Sequence, residues 1–168
     1  MSEGGTIDMF EVKNDDFHIR SDQDEIRVDG LCRELLREFH RTLLERGAVP
    51  EEAGFLAHGA DYFLLDFVVA SQRRNLLDEE PGLVRRFAAT WYIISTMEPT
   101  IGEISGILRG IRELYRFLRD KGLVSAAYCE KIERECADIP YYERRIESFL
   151  EITGDGYPDW ERECSLKG

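Results

Sequence analysis

The stretch that decides the fold is Thr100-Ile-Gly-Glu-Ile-Ser-Gly-Ile-Leu-Arg-Gly-Ile-Arg-Glu-Leu-Tyr-Arg-Phe-Leu-Arg-Asp-Lys-Gly-Leu-Val124. Ile104, Ile107, Leu108, Ile111, Leu114, Tyr115 and Leu118 recur at three- and four-residue steps, the spacing of one apolar face on an α-helix. Thr100 and Glu103 have capping-box spacing, in which hydroxyl and carboxylate each meet an otherwise unpaired backbone N–H. Gly122 stands where a left-handed residue would end the helix. Two further stripes share this segment. Gly102, Gly106 and Gly110 recur every four residues and predict close approach of another helix, from this chain or as a dimer seam. Arg109, Arg112, Arg116 and Arg119, followed by Lys121, form a basic row beside the apolar one.

Working outward, Leu31, Leu35, Phe39 and Leu43 step by four, and Gly47 and Pro50 supply a stop. A second helix is expected from about Glu51 to Arg73. Its middle, Tyr62 to Val69, is apolar nearly all round, which suits a central helix or, alternatively, a buried strand. Pro81 after three acids opens a third helix carrying Leu83, Val84, Phe87, Trp91, Ile94 and Met97. Beyond the deciding helix, Ser125 caps a fifth with Tyr128, Ile132 and Cys136. Asp138 and Pro140 open a sixth with Tyr142, Ile146, Phe149 and Leu150. The expectation is an all-α, compact bundle of about six helices over 30–154.

The two ends read differently. Residues 1–29 form an acidic N-terminal arm in which Ile7, Met9, Phe10, Val12, Phe17 and Ile19 flank Asn14-Asp15-Asp16, while Ile26 and Val28 alternate with polar neighbours. An arm lying on the helices, a short β-hairpin and a disordered tail all fit that pattern. Residues 155–168 read as an acidic C-terminal tail whose Tyr157 and Trp160 can dock back.

Charge narrows the function. Thirty-four acidic against 22 basic side chains leave a net charge of −12 over 168 residues. Such a field disfavours polyanions, nucleic acid and anionic membranes among them. The longest apolar run, Tyr62–Ala70, is interrupted by Asp66 and is far shorter than the ~20 residues of a membrane span. No basic, apolar leader opens the chain. Cys32, Cys129, Cys136 and Cys164 contain no CxxC pair, and reduced thiols in a cytoplasmic protein are expected.

Catalytic patterns are missing. His18, His40 and His58 accompany no Gly-x-Ser-x-Gly elbow, no Glu-x-x-His unit and no P-loop. Neither a metal nor a cofactor is expected. Carboxylates Glu51, Asp61 and Asp66 are the starting point for any unrecognised bundle chemistry. Asp66 stands out, because burial raises a carboxyl pKa.

The deciding segment resembles the last long helix of the core-binding domain of tyrosine recombinases (phage integrases). Ile111-Arg112, Leu114-Tyr115, Phe117-Leu118 and Gly122-Leu123-Val124 occupy the family's aliphatic, arginine, aromatic and terminal glycine positions. Phe87, Trp91, the turn at Glu98–Glu103 and Leu43-Leu44-Glu45-Arg46-Gly47 extend the similarity over about residues 30–124. The resemblance implies a SAM-like bundle of two crossed helical hairpins, which in the family clamps DNA. The family's catalytic Arg, His and Tyr belong to a separate domain. The 46 residues after Gly122 carry no His-x-x-Arg motif, so recombinase activity is not expected of them.

Three functions follow as expectations. The first is a non-catalytic helical module that binds a protein partner or itself. The second is a DNA-binding accessory module using Arg109, Arg112, Arg116, Arg119, Lys121, Arg73 and Arg74, a use that the net charge opposes. The third is an enzyme with a helical-bundle carboxylate site.

Overall fold

A computed structural model describes residues 12–167. Among them are seven helices and no strand: α1 Asp22–Glu45, α2 Pro50–Ser71, α3 at 83–95, α4 Ile101–Asp120, α5 Ala126–Ala137, α6 Ile139–Leu150 and α7 Tyr157–Lys167. A single 3-10 turn, Asn14–Phe17, precedes them. The described residues are therefore all-helical in class, with one helix more than the periodicity predicts.

Helix α2 is the centre. It packs against α1 on one side and α4 on the other, while α4 also carries α5 and α6. Phe63, Leu64, Phe67 and Val68 of α2 are buried, as are Ile104, Leu108, Ile111, Leu114 and Leu118 of α4. Each such side chain contributes about 1.5–3 kcal/mol on leaving water. At 22 largely apolar residues, α2 has the length and composition of a membrane span. In this bundle that apolarity is spent on the core. Asp66, the carboxylate within its apolar run, is exposed.

Two helices change register where they meet. From Tyr62 to Ser71, α2 continues as a π-helix, and Gln72 closes it by donating its N–H to the Phe67 carbonyl, five residues back, at 2.8 Å. Helix α3 is π-helical over Phe87–Trp91. Their rings interlock: Phe63 on Phe87 at 5.1 Å, Phe67 on Phe87 at 5.3 Å and on Trp91 at 5.4 Å, Tyr62 on Trp91 at 5.6 Å. Edge and tilted ring contacts of this kind add to burial. The wide turn lets Tyr62 and Phe67, five apart, both reach Phe87 and Trp91. A strand at 62–69 is not formed.

The N-terminal hairpin is not formed either, among the residues described; Ile7, Met9 and Phe10 lie outside them. Phe17 is buried in the core. Asn75 holds the turn before it, donating to the Asn14 carbonyl at 2.8 Å while its own oxygen accepts the Leu77 N–H at 2.8 Å. Helix α1 begins at Asp22, so a break at 29/30 would fall inside it. The Ser21 hydroxyl accepts the Asp24 N–H at 3.0 Å, and Asp22, Asp24 and Glu25 sit at the positive end of the helix dipole. Ile26 and Val28, which alternate like strand residues, are helical. Val28 is buried in line with Cys32, Leu35 and Phe39, whereas Ile26 is 75% exposed.

The segment read as a tail is helix α7, and Trp160 is buried against Phe149 at 5.0 Å. Carboxylates cap two helix starts across the bundle. Both oxygens of Glu135 on α5 accept N–H groups at the start of α3, from Gly82 at 3.0 Å and Arg85 at 2.9 Å. Glu79 in turn accepts from the N–H and hydroxyl of Ser125, each at 2.9 Å, where α5 begins.

Candidate functional site

The glycine stripe marks where α2 and α4 touch. A Cβ on Gly110 would overlap the Leu56 carbonyl oxygen and stand 3.0 Å from the Ala60 nitrogen. On Gly106 it would run into the Phe55 ring, and on Gly59 of α2 it would stand 3.0 Å from the Ile107 Cα. Gly102 differs, because a Cβ there meets nothing within 4 Å. The expected packing stripe is therefore Gly106 and Gly110, joined by Gly59, which spacing along one helix cannot reveal. The seam is internal to the chain.

Gly102 faces a cavity instead. A pocket of about 380 Å³ opens where the crossing ends, lined by Phe55, His58, Gly59 and Tyr62 of α2, by Tyr92 and Thr96 at the end of α3, and by Gly102, Glu103, Gly106 and Ile107 of α4. A volume of this size and a largely apolar wall with few polar groups are the usual properties of a small-molecule site. Phe55 is 49% exposed at the rim, and Met97, next to Thr96, is 98% exposed.

The polar corner is built by the α4 cap. Thr100 Oγ1 accepts the Glu103 N–H at 3.1 Å, which is half of the expected capping box. The other half is rerouted. The Thr100 N–H donates to the Tyr92 hydroxyl at 3.1 Å, and that hydroxyl donates to Glu103 Oε1 at 2.6 Å. Tyr92 thus stands between cap and carboxylate and fixes Glu103 at the pocket wall. Burial pushes the Tyr92 phenol upward, and its hydrogen bond to Glu103 adds to this. Tyr62 is also raised, by burial first and then by the charges of Asp66 and Glu103.

The arginine row is neutralised side chain by side chain. Arg109 pairs with Glu52 of α2 and lies over the Phe55 ring. Arg112 meets Glu113 at 3.1 Å, and Arg116 meets Glu113 at 2.9 Å and Glu133 of α5 at 2.7 Å. Arg119 meets Asp120 at 3.1 Å, and Lys121 sits 5.9 Å from the Phe117 ring. Arg73, in a left-handed conformation at φ 50°, ties the end of α2 to Asp22 and Glu25 of α1, each at 3.3 Å. Arg74 lies 3.7 Å from Glu80. Within the row, Arg109 ties α4 to α2 and Arg116 ties it to α5, while Arg112 and Arg119 pair with carboxylates of α4 itself.

Other candidates separate in space. His40, His58 and Asp61 line a second groove, between α1 and α2, with Arg33 and Arg37. Burial raises the Asp61 carboxyl above its ordinary value, opposed by Arg33. Glu51 is exposed and apart from that groove. Among the described residues, no three His, Cys, Asp or Glu side chains gather as a metal would require. Cys32, Cys129 and Cys136 are buried, and burial pushes the Cys32 thiol up to about 12.

Residue-type reasoning passes over Phe55, Tyr62, Tyr92 and Glu103 as a group. They come from three helices, and only the capping signal at Glu103 is visible in the sequence. It also passes over Arg145, which is 2% exposed and joins α6 to α3 and α7.

Protein-family models, curated proteins and solved structures were each compared with this chain, and none matches.

Proposed function

We propose that this chain is a non-catalytic helical recognition module of recombinase core-binding type, engaging a protein partner or a second copy of itself through the rim of the α2–α4 pocket. The observation that carries the reading is the exposure of two large apolar side chains, Phe55 of the pocket lining at 49% and Met97, the residue after the lining Thr96, at 98%. Apolar groups clustered at a concave site, rimmed by polar residues, favour recognition over solvation. Support for the SAM-like label comes from the α4 sequence and its Gly122 stop, where φ is 74°. The pairing of Arg109, Arg112, Arg116 and Arg119 with carboxylates favours a protein partner over DNA. Sedimentation velocity of the purified chain, alone and with proteins it captures, tests the reading. Association that Phe55→Glu and Met97→Glu abolish supports it. A strict monomer whose captured proteins are indifferent to both substitutions overturns it.

A further inference from the structure

The α2–α4 pocket has a mainly apolar wall with one carboxylate. Two aromatic side chains with exposed surface, Phe55 and Tyr62, line it together with His58 and the Glu103 carboxylate, while Tyr92, 1% exposed, keeps its ring in the core and reaches the wall by its hydroxyl. Aromatic faces carry partial negative charge and attract cations electrostatically, most strongly where water is excluded. The carboxylate adds a full charge. The Tyr92 hydroxyl donates to Oε1 at 2.6 Å and so holds the carboxylate in place before any ligand arrives. Arg109, which lies over the Phe55 ring, is paired with Glu52.

We propose that this pocket binds a small organic ammonium compound, its cationic head between Phe55, Tyr62 and Glu103 and its apolar body along Gly102, Gly106 and Ile107. The inference rests on the pocket being a binding element of the module, and it goes beyond the partner reading by assigning the pocket a ligand of its own. A net charge of −12 favours delivery of a cation, whereas a carboxylate or phosphate ligand would meet Glu103 unpaired. The glycines have a role here too. Gly102 meets nothing within 4 Å, so the space beside it is open to a ligand.

The test is isothermal titration calorimetry of the full chain with choline and with its uncharged analogue, in which carbon replaces the quaternary nitrogen. Choline should bind saturably, and the analogue about tenfold or more weakly. Glu103→Gln keeps an oxygen for the Tyr92 hydroxyl and should lower choline affinity about tenfold. Gly102→Leu fills the open space without changing charge and should abolish binding; a melting curve confirms that each variant is folded. Equal binding of choline and its analogue overturns the ammonium assignment and leaves the pocket as a binding element. Absence of saturable heat from choline overturns the proposal, and so does choline binding that survives Gly102→Leu. The partner reading stands or falls separately, on the sedimentation of the Phe55 and Met97 variants.

Discussion

The Arg145 guanidinium lies 3.8 Å from the centre of the Trp160 ring and donates to the Trp160 carbonyl at 2.7 Å, while the Trp160 indole N–H donates back to the Arg145 carbonyl at 3.1 Å. Two residues fifteen apart thus hold each other by three different interactions. The guanidinium also donates to the Ala89 carbonyl at 2.9 Å and to the Thr90 hydroxyl at 3.2 Å, with Glu163 at 3.7 Å. A buried charge is tolerated here because its donors are satisfied and a carboxylate is near.

Arg145→Ala should detach α7. It strands the Ala89 and Trp160 carbonyls and removes the plane on which the indole rests, at a cost of about 2–4 kcal/mol. Urea denaturation measures the loss, and limited proteolysis should show new cleavage between Leu150 and Trp160. Arg145→Lys should recover only part, because an ammonium cannot span three acceptors in one plane. Unchanged protease resistance in Arg145→Ala would show that α7 does not depend on this residue.

Two glycines of one stripe should respond oppositely to alanine. Gly110→Ala drives a methyl into the Leu56 carbonyl, a backbone atom that cannot swing away, and should cost about 1–3 kcal/mol. Gly102→Ala enters open space in a helix and should gain roughly 0.5–1 kcal/mol. Thermal melts of the two variants decide the matter. Equal destabilisation would mean that the stripe is uniform and the α2–α4 contact longer than described.

Asp61→Asn should stabilise the protein at neutral pH. Burial raises the folded-state pKa of Asp61 above the ordinary 3.8, so the folded chain holds this proton more tightly than the unfolded chain. The ionised form therefore costs stability. That cost sets in as pH rises above 3.8 and is complete above the folded-state value. The advantage of the Asp61→Asn variant over wild type should shrink as pH falls through the same window. Denaturation curves across pH check the trend, and an advantage independent of pH would remove the ionisation argument.

Duplex DNA should not bind. Arg109, Arg112, Arg116 and Arg119 already share carboxylates, and releasing them for phosphates would leave Glu52, Glu113 and Glu133 facing a polyanion. Fluorescence anisotropy at ~50 mM salt, where phosphate contacts are strong, should stay flat. A rise that falls steeply with added salt would restore the DNA reading.

Much of the fold is legible because its signals are local. Thr100 and Ser125 cap α4 and α5 by accepting the N–H three residues on, and Pro140 stands in the first turn of α6, each where the spacing predicts. The start of α1 escapes the periodicity although Ser21-x-x-Asp24 carries a capping signal. Only Val28 of its first turns is buried, so the apolar period begins late. Helix α7 escapes it for a related reason: among its described side chains Trp160 alone is buried, and Arg145 supplies the other half from α6. Of the candidate pocket, Gly102 and Gly106 are legible as a packing stripe and Glu103 as a cap, but nothing in the sequence joins them to Phe55, Tyr62 and Tyr92.

The amino-acid sequence by itself determined most of the helical segments from Leu31 to Leu150, with a strand left open at 62–69. It also determined where α4 begins and stops, and that a glycine stripe drawn as Gly102, Gly106 and Gly110 admits a neighbour. Caps, prolines and three- and four-residue periods act within a turn or two of the residues that carry them. The tertiary structure alone decided the rest: that Gly102 faces open space instead of a helix, that the arginine row is neutralised, and that Tyr92 enters the α4 cap to place Glu103 against Tyr62 and Phe55. Those relationships join residues up to 57 apart, as between Glu52 and Arg109. Which of many chemically equivalent carboxylates, rings and glycines meet depends on how the helices cross, and no local period encodes that.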